Sequence, residues 1–498
     1  MAYLLGYDAG SSFIKASLLD AATGRQVAAA SSPDRELPIA AARPGWAEQD
    51  PETWWENLVR ATAVLRRKSV AEMSEVAAIG ISYQMHGLVV VGRDLKPLRP
   101  SIIWCDSRAV EVGERALRAL GVESCMGRLL NSPGNFTASR LAWLKESEPE
   151  LFRLVHKAML PGDYLALRMT GEAVTTPSGL SEMVLWDFTA GEAAVMVLEH
   201  YGIPSGMLPE VRPTFSVQGE LTREAAAELG LRPGIPVAYR AGDQPNNAFA
   251  LEVLEPGEAA ATAGTSGVVY GVSAEPRSDA RSRVNVFVHV NHREEDPRYG
   301  VLMCVNGAGI TYRWLRSLLG GTAGGPDYRR MDEEAASAPP GSEGLMFFPY
   351  GNGSERTLEN RLPGASVRGL DFNCHRRPHL LRAAQEGVVF ALHYGLEIMR
   401  AMGAGAERIR AGRANMFLDP LFRRIFAAVT GAALEVYDTD GAQGAARGAG
   451  LGAGVFADVA EAFRGLERVE TVEPDPDLEE AYREAYGRWK AELERQLT

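Results

Sequence analysis

The amino-acid sequence predicts an α/β protein of two similar domains, residues 1–247 and 248–498, with a cleft between them. Three observations lead there. A chain of 498 residues exceeds what one ordinary core holds. A strand, a turn of glycine and hydroxyl residues and a returning strand occur near the start of each half, at 3–19 and again at 258–272. Midway, the strand-like run 235–240 leads into Ala241-Gly242-Asp243-Gln244-Pro245-Asn246-Asn247. There a carboxylate stands on small neighbours where a strand gives way to a turn. A Gly-Asp pair in that position is also an ordinary turn or helix cap.

Composition narrows the function classes. Apolar residues make up 46% and charged residues 23%, as in soluble globular proteins. A net charge of −12 offers nothing to attract nucleic acid or an anionic membrane. No apolar run approaches the roughly 20 residues of a membrane span, and the first eight residues lack the basic start of a signal peptide. Cys105, Cys125, Cys304 and Cys374 are far apart with no C-x-x-C, which fits a reducing cytoplasm. His289 with His292, and His375 with His379, lack further ligands nearby, so no metal set is expected from histidine.

In chain order, residues 3–7 read as a strand, Asp8-Ala9-Gly10-Ser11-Ser12 as a tight turn and 13–19 as the returning strand. A turn of Gly and Ser leaves backbone N–H groups unclaimed and adds hydroxyl donors. That is the chemistry of a phosphate cradle, or of a polar-tipped hairpin. Thr262-Ala263-Gly264-Thr265-Ser266-Gly267 repeats the pattern. One such hairpin per half would set a phosphate grip on each wall of a cleft, and clefts between domains favour ligands.

Asp50 is placed to cap a helix beginning at Pro51, and Trp54, Trp55, Leu58, Ala61, Thr62 and Leu65 recur at helical spacing. The buried strand 76–82 runs into Gln84-Met85-His86-Gly87. Such a set could line a polyol pocket, or the histidine could be satisfied within a core. At 101–108 a strand ends on Trp104, Cys105, Asp106 and Arg108. An aromatic beside an acid and a base suits a sugar, and Asp106 with Arg108 equally suits a structural ion pair. Residues 274–283 and 335–342 read as exposed loops. Gly307-Ala308-Gly309 is a strand-to-helix junction open enough for a flat ligand, or for tight packing. A long helix is expected over 380–402, stopped by Gly403. A strand ending in small residues follows over 409–415, then a helix of small residues over 440–450. Leu478, Tyr482, Ala485, Trp489 and Leu493 mark one face of a final helix.

Together these stretches resemble the FGGY family of carbohydrate kinases, from Asp8 to about residue 454. The matching runs are D-x-G-S-S at 8–12, P-G-W-A-E-Q-D-P-x-x-W-W at 44–55, Q-M-H-G at 84–87, I-W-x-D-x-R at 103–108, Gly242-Asp243, G-T-S-G at 264–267 and P-Y-x-x-G-x-E-R at 349–356. Q-M-H-G and W-A-E-Q point to xylulose among the family's substrates. The resemblance implies two actin-like ATPase domains of the ribonuclease H type. It implies ATP and Mg²⁺, with transfer of the γ-phosphoryl group to the terminal hydroxyl of a ketopentose, D-xylulose giving D-xylulose 5-phosphate. It makes Asp243 the general base and assigns Mg²⁺ to Asp8, through water. Ser11, Ser12, Lys15, Thr265 and Ser266 fall where the family grips phosphates, and Gly412 on the nucleotide side; Gly309, at the open junction, and Asn415, in the lengthened loop, are further candidates to meet the nucleotide. Gln84, Met85 and His86 match the sugar pocket, with Asp106 and Asn246 as further hydroxyl readers. A homodimer is among the expected states.

Two places depart from the family pattern. Gln244-Pro245-Asn246-Asn247 follow the Gly-Asp pair where many members have small residues, which bears on the sugar accepted. The adenine-side stretch 411–423 is longer than the common form and carries Arg413 and Asn415. Other readings of the same hairpins are an actin-like filament or chaperone ATPase, a silent sugar sensor, or a kinase for another ketose or polyol such as ribulose.

Overall fold

The computed structural model describes residues 2–69, 71, 73–320 and 326–498. The chain forms two compact units. Unit 1 is Met1–Glu252, Phe287–Tyr299 and Thr439–Leu466; unit 2 is Val253–Val286, Gly300–Asp438 and Glu467–Thr498. The single division expected after Asn247 therefore lies five residues later, between Glu252 and Val253, and the chain returns to unit 1 twice. The second return carries the helix of small residues, Gly441–Gly452. Its place in unit 1 depends on packing against strands far away in sequence, which no local pattern records.

Unit 1 is organised on five strands: β1 (Tyr3–Ala9), β2 (Ile14–Asp20), β3 (Gln26–Ser32), β4 (Val76–Tyr83) and β5 (Val237–Gly242). They lie in the order β5-β4-β1-β2-β3. β1 pairs antiparallel with β2 and parallel with β4, and β4 pairs parallel with β5. This register puts Asp8 opposite Lys15 on one side and Ser82 on the other. It also puts Gly242 opposite Tyr83, so the two segments singled out in the sequence, 84–87 and 243–247, leave the sheet side by side.

Helix Pro51–Lys68 starts as expected: the Asp50 carboxylate accepts the Glu52 N–H, Pro51 opens the first turn, and Trp54, Trp55, Leu58, Ala61 and Leu65 are buried. Burial of each large side chain stabilises by about 1.5–3 kcal/mol. Helix Gly441–Gly452 lies so close to the sheet that a Cβ on Gly6 would stand 1.9 Å from the Ala442 carbonyl oxygen, and one on Gly80 2.0 Å from that of Ala445. Glycine is required in both strands by close approach rather than by backbone conformation.

Unit 2 repeats the plan. Its sheet has seven strands: β6 (Ala259–Ala263), β7 (Gly267–Ser273), β8 (Asn285–Val288), β9 (Tyr299–Val305), β10 (Arg408–Gly412), β11 (Ala433–Tyr437) and β12 (Arg468–Val472). The order is β8-β9-β7-β6-β10-β11-β12. β6 stands where β1 stands in unit 1: antiparallel to the strand after it, parallel to a strand much later in sequence. The long helix runs Arg377–Ala401, with Gly403 just past its end at φ +82°. The final helix, Pro476–Leu497, buries Trp489, which stacks on Phe348 and donates its indole N–H to the Phe347 carbonyl.

The stretch 274–283 is largely exposed, as expected. The stretch 335–342 is not: Ala335 is buried in helix Tyr328–Ala336, Ala338 is buried, and Gly341 and Ser342 are buried with their N–H and hydroxyl on the Glu386 carboxylate. Among the described residues no helix is long and apolar enough to cross a membrane.

Candidate active site

In unit 1, Asp243 is the first residue of helix Asp243–Ala250, directly after β5. Gly242, before it, makes room for two side chains: a Cβ there would lie 2.4 Å from Glu182 Oε2 and 2.6 Å from Met85 Cγ, so both would have to shift. Burial pushes the Asp243 carboxyl up to about 7, the nearby Asp8 pushes the same way, and hydrogen bonds from the Gln244 main chain and side chain oppose both. A helix N-terminus favours a carboxylate, but here desolvation outweighs it. Asp8 accepts the Ser82 hydroxyl at 2.9 Å and lies against Gly441, where a Cβ would meet its carboxyl carbon at 2.9 Å. Asp440, which caps that helix by accepting the Gln443 N–H, is raised by burial, with Lys15 lowering it and Asp8 raising it. Asp8, Asp243, Asp440 and Lys15 thus share one region, with an excess of negative charge.

The residues expected on the sugar side follow β4. Gln84 and Met85 are buried. His86 has φ +59°, in the left-handed region that few non-glycine residues adopt. Its Nδ1 lies 2.8 Å from the Glu182 carbonyl oxygen. A carbonyl can only accept, so Nδ1 carries the proton. Burial pushes the imidazole down to about 3, so the ring is neutral and Nε2 is an acceptor. Phe136 and Phe287 flank it. The His86 carbonyl oxygen accepts from the Thr137 hydroxyl and from Arg140, and Arg140 also donates to the carbonyls of Trp104 and Asp106.

Asp106 is completely buried and accepts the N–H groups of Ala47 and Arg108 and the Arg108 guanidinium. That guanidinium sits 3.8 Å from the Trp46 ring centre. This is the ion-pair alternative in full, and it corrects the expectation that Asp106 reads a sugar hydroxyl: its carboxylate is taken by protein donors. Asn246 differs, because its buried Oδ1 has no hydrogen-bond partner among the described residues. It is buried in helix Asp243–Ala250, and its amide donates to the Gly441 carbonyl at 2.8 Å.

In unit 2 a cavity of about 390 Å³ opens at the second hairpin. Gly264, Thr265, Gly309 and Asn415 line it, with Tyr312, Tyr328, Asp332, Gln385 and Asp419. Gly309 begins helix Gly309–Gly320, and its N–H donates to the Gly264 carbonyl at 2.7 Å, an approach closed to any Cβ. Asn415 is left-handed at φ +53°, with its amide close to Gly264. Gln385 Nε2 donates to Asp419 at 2.7 Å and to the Tyr312 hydroxyl at 3.1 Å. Asp332 and Asp419 hydrogen-bond each other, and burial raises both. Ser266 and Gly412 are not among the lining residues.

Residues 3–250 match the N-terminal domain of the FGGY family of carbohydrate kinases, and residues 259–457 match its C-terminal domain. The chain belongs to the FGGY family of carbohydrate kinases. It is similar to the xylulose kinase of Escherichia coli (strain K12), 31% identical over 89% of this chain and 88% of that protein. It is similar to the L-xylulose/3-keto-L-gulonate kinase of the same organism, 29% identical over 98% and 96%. The crystal structure of the xylulose kinase from Rhodospirillum rubrum superposes with a TM-score of 0.87 at 27% identity, covering 99% of this chain and 98% of that one. The two-domain FGGY kinase fold, with actin-like ATPase architecture, is that implied by the resemblance, and the chain is a carbohydrate kinase.

Within that FGGY architecture, Asp8, Lys15, Gln84, Met85, His86 and Asp243 lie together in unit 1, and Thr265, Gly309 and Asn415 together in unit 2. Sequence reasoning missed Glu182, Arg140, Gln385 and the Asp332–Asp419 pair. Glu182 lies at the end of a short helix, Pro177–Glu182, outside every motif singled out in the sequence. Only its contacts with Gly242 and Tyr83 reveal it.

Proposed function

We propose that this kinase transfers the γ-phosphoryl group of ATP to the terminal hydroxyl of a ketopentose, D-xylulose giving D-xylulose 5-phosphate, with Asp243 as general base. The observation that carries this reading is Asp243 itself: a buried carboxyl whose proton affinity lies near neutrality, at the end of β5 and beside Gln84, Met85 and His86. A base works best when its pKa lies close to the working pH. The xylulose kinases among the relatives support the sugar.

Each group has a task. Asp243 takes the proton of the attacking hydroxyl as the O–P bond forms; the γ-phosphoryl passes to that oxygen and ADP leaves. His86 Nε2 accepts a sugar hydroxyl. A site built to pair a hydroxyl rejects analogues that lack it far more strongly than a pocket rejects an extra methylene. Lys15 and the hydroxyls of Ser11 and Ser12 serve the phosphates from the first hairpin; Thr265 and Ser266 serve them from the second. The unit 2 cavity takes the nucleotide, with Gly309 and Asn415 on its wall and Gly412 at the end of β10. Asp8 and its acidic neighbours are hard oxygen donors around little positive charge, a set that fits Mg²⁺. Asp8 would hold the ion through water, and the ion would supply neutralisation of phosphate charge. The expected location is cytoplasmic.

A coupled ADP-release screen over ketopentoses, other ketoses and polyols, run beside Asp243→Ala, tests this. D-xylulose is expected to give the highest kcat/KM, and the variant is expected to lose activity. Activity retained by the variant sinks the mechanism. A clear preference for ribulose, a keto-gulonate or a polyol moves the substrate assignment to that compound.

A further inference from the structure

The W-A-E-Q run contributes a side chain for which sugar phosphorylation as derived above has no task. Gln49 is buried, with 5% of its surface exposed, at the end of the two-residue strand Glu48–Gln49. Its amide nitrogen donates to the Ser11 carbonyl at 2.7 Å and to the Pro38 carbonyl at 3.3 Å. Its amide oxygen accepts the Trp54 indole N–H at 3.0 Å and the Gln84 amide at 3.4 Å. All four hydrogen-bonding positions of one side-chain amide are therefore occupied.

The orientation of this amide is forced. An indole N–H only donates, so the Gln49 oxygen must face Trp54. The carbonyls of Ser11 and Pro38 only accept, so the nitrogen must face them. Gln84 then meets an acceptor, and has to present its own NH₂ to Gln49. That leaves Gln84 Oε1 on the other side, buried and without a hydrogen-bond partner in the protein. A buried acceptor left unpaired is costly, and a ligand donor is a common reason for one. Trp54, on a core helix, thus dictates through Gln49 which atom Gln84 offers.

We propose that Gln49 is a positioning residue that sets the sugar-reading oxygen of Gln84 and the phosphate-hairpin turn at Ser11 with a single amide. The inference rests on the proposed sugar-kinase reading and deepens it. The group that Gln84 Oε1 takes is a hydroxyl donor, so the acceptor substrate carries a free hydroxyl there. The two grips are held in a common frame: displacement of Gln49 disturbs both, while a change to one end of its amide disturbs one.

Gln49→Glu and Trp54→Phe separate the ends. A glutamate at 49 keeps an oxygen for Trp54 and Gln84 but sets a second oxygen against the Ser11 and Pro38 carbonyls. Its expected result is a loss in kcat, or a rise in KM for MgATP, of about tenfold, with KM for the sugar within about twofold of wild type. Trp54→Phe keeps an aromatic ring in the core but removes the N–H that fixes the amide together with part of the buried indole, so the thermal unfolding measurement separates the lost volume from the lost donor. Its expected result is a rise of about fivefold in sugar KM, with KM for MgATP unchanged. Thermal unfolding and sugar binding by calorimetry without nucleotide accompany both variants. Both variants within twofold of wild type in every parameter overturns the proposal. So does a uniform loss that matches the folded fraction, since that is a structural role alone. If the glutamate variant does not fold, the Trp54→Phe result decides. Wild-type protein that phosphorylates no sugar sinks the functional reading and this inference together, whereas an active wild type with unaffected variants sinks this inference alone.

Discussion

The Asn246 amide donates to the main-chain carbonyl of Gly441 at 2.8 Å, with both residues buried. Asn246 follows three positions after Asp243 on the same helix, and Gly441 starts the helix whose N-cap, Asp440, belongs to the acidic cluster. One side-chain bond thus ties the segment bearing the proposed base to the segment beside Asp8. Asn246→Ala leaves a buried carbonyl without that donor, a loss of about 1–3 kcal/mol. Thermal unfolding is expected to fall accordingly and kcat to fall with it, while KM for the sugar stays within about twofold. A selective rise in sugar KM with unchanged stability would instead make Asn246 a sugar ligand.

Asp243 has the stronger pH consequence. Its carboxyl is raised from 3.8 to about 7, so below neutrality it holds a proton and cannot act as base. The rate constant kcat/KM is expected to rise with pH through about 7 in the acid limb, before any shift imposed by bound metal. Asp243→Asn is expected to lose activity by about 10²–10⁴-fold. The sign for stability follows from the same shift. An acid with a raised folded pKa favours the folded state at low pH, and that contribution is lost as pH rises from about 4 through about 7. Ionising the buried group costs roughly 4 kcal/mol on this shift. The Asn variant should therefore be more stable than wild type at pH 8 and similar to it at pH 4. A wild type with a flat activity profile from pH 5 to 8 and no alkaline stability gain in the variant would contradict the shift.

Both hairpins, the Trp54 helix, the Gln84–His86 segment and the Asp243 carboxyl at a strand end were legible in the sequence, because each rests on local chemistry. Gly and Ser turns expose donors, Asp50-Pro51 starts a helix, and alternation marks strands. What was not legible depends on contacts distant in sequence. Glu182 meets Gly242 across 60 positions, and Asn246 meets Gly441 across 195. Asp106 and Asn246 read as sugar contacts because both are polar and near the motifs; the structure pairs the Asp106 carboxylate with Arg108 and Ala47, and engages the Asn246 amide nitrogen, though not its oxygen, with the Gly441 carbonyl. Gly6 and Gly80 could be seen as glycines in strands, but the helix they admit comes from the chain's last quarter.

His86 gives a test of tautomer. With Nδ1–H held by the Glu182 carbonyl and the ring kept neutral by burial, the acceptor offered to the sugar is Nε2. His86→Asn can keep a donor for Glu182 but has no atom at Nε2. Sugar KM is expected to rise about tenfold with little change in kcat. Because the imidazole is pushed down to about 3, wild-type sugar KM should show no His titration between pH 5 and 8. A KM that follows a group of pKa near 6.5, lost in the Asn variant, would show the ring to be charged in that range.

Glu182 is the buried acid that the proposed chemistry does not use. Tyr83 hydrogen-bonds it, Asp163 and Asp243 repel its charge, and burial raises it well above the usual carboxylate range. Burial is the largest of these influences, and a carboxylate oxygen lies close over Gly242. Glutamine has the same shape and is always neutral. Glu182→Gln is expected to keep kcat and sugar KM within about twofold, since it preserves the packing around the base. The sign for stability is that of a raised acid: the contribution present at low pH is lost as pH rises towards the folded pKa. Wild-type unfolding temperature should thus fall on the alkaline side more steeply than that of the Gln variant, with the two converging near pH 4. A Gln variant that is much less stable at pH 7 would mean that Glu182 is ionised and paired in the folded protein. A Gln variant that is stable but has lost kcat would mean that the acid's own proton takes part in transfer.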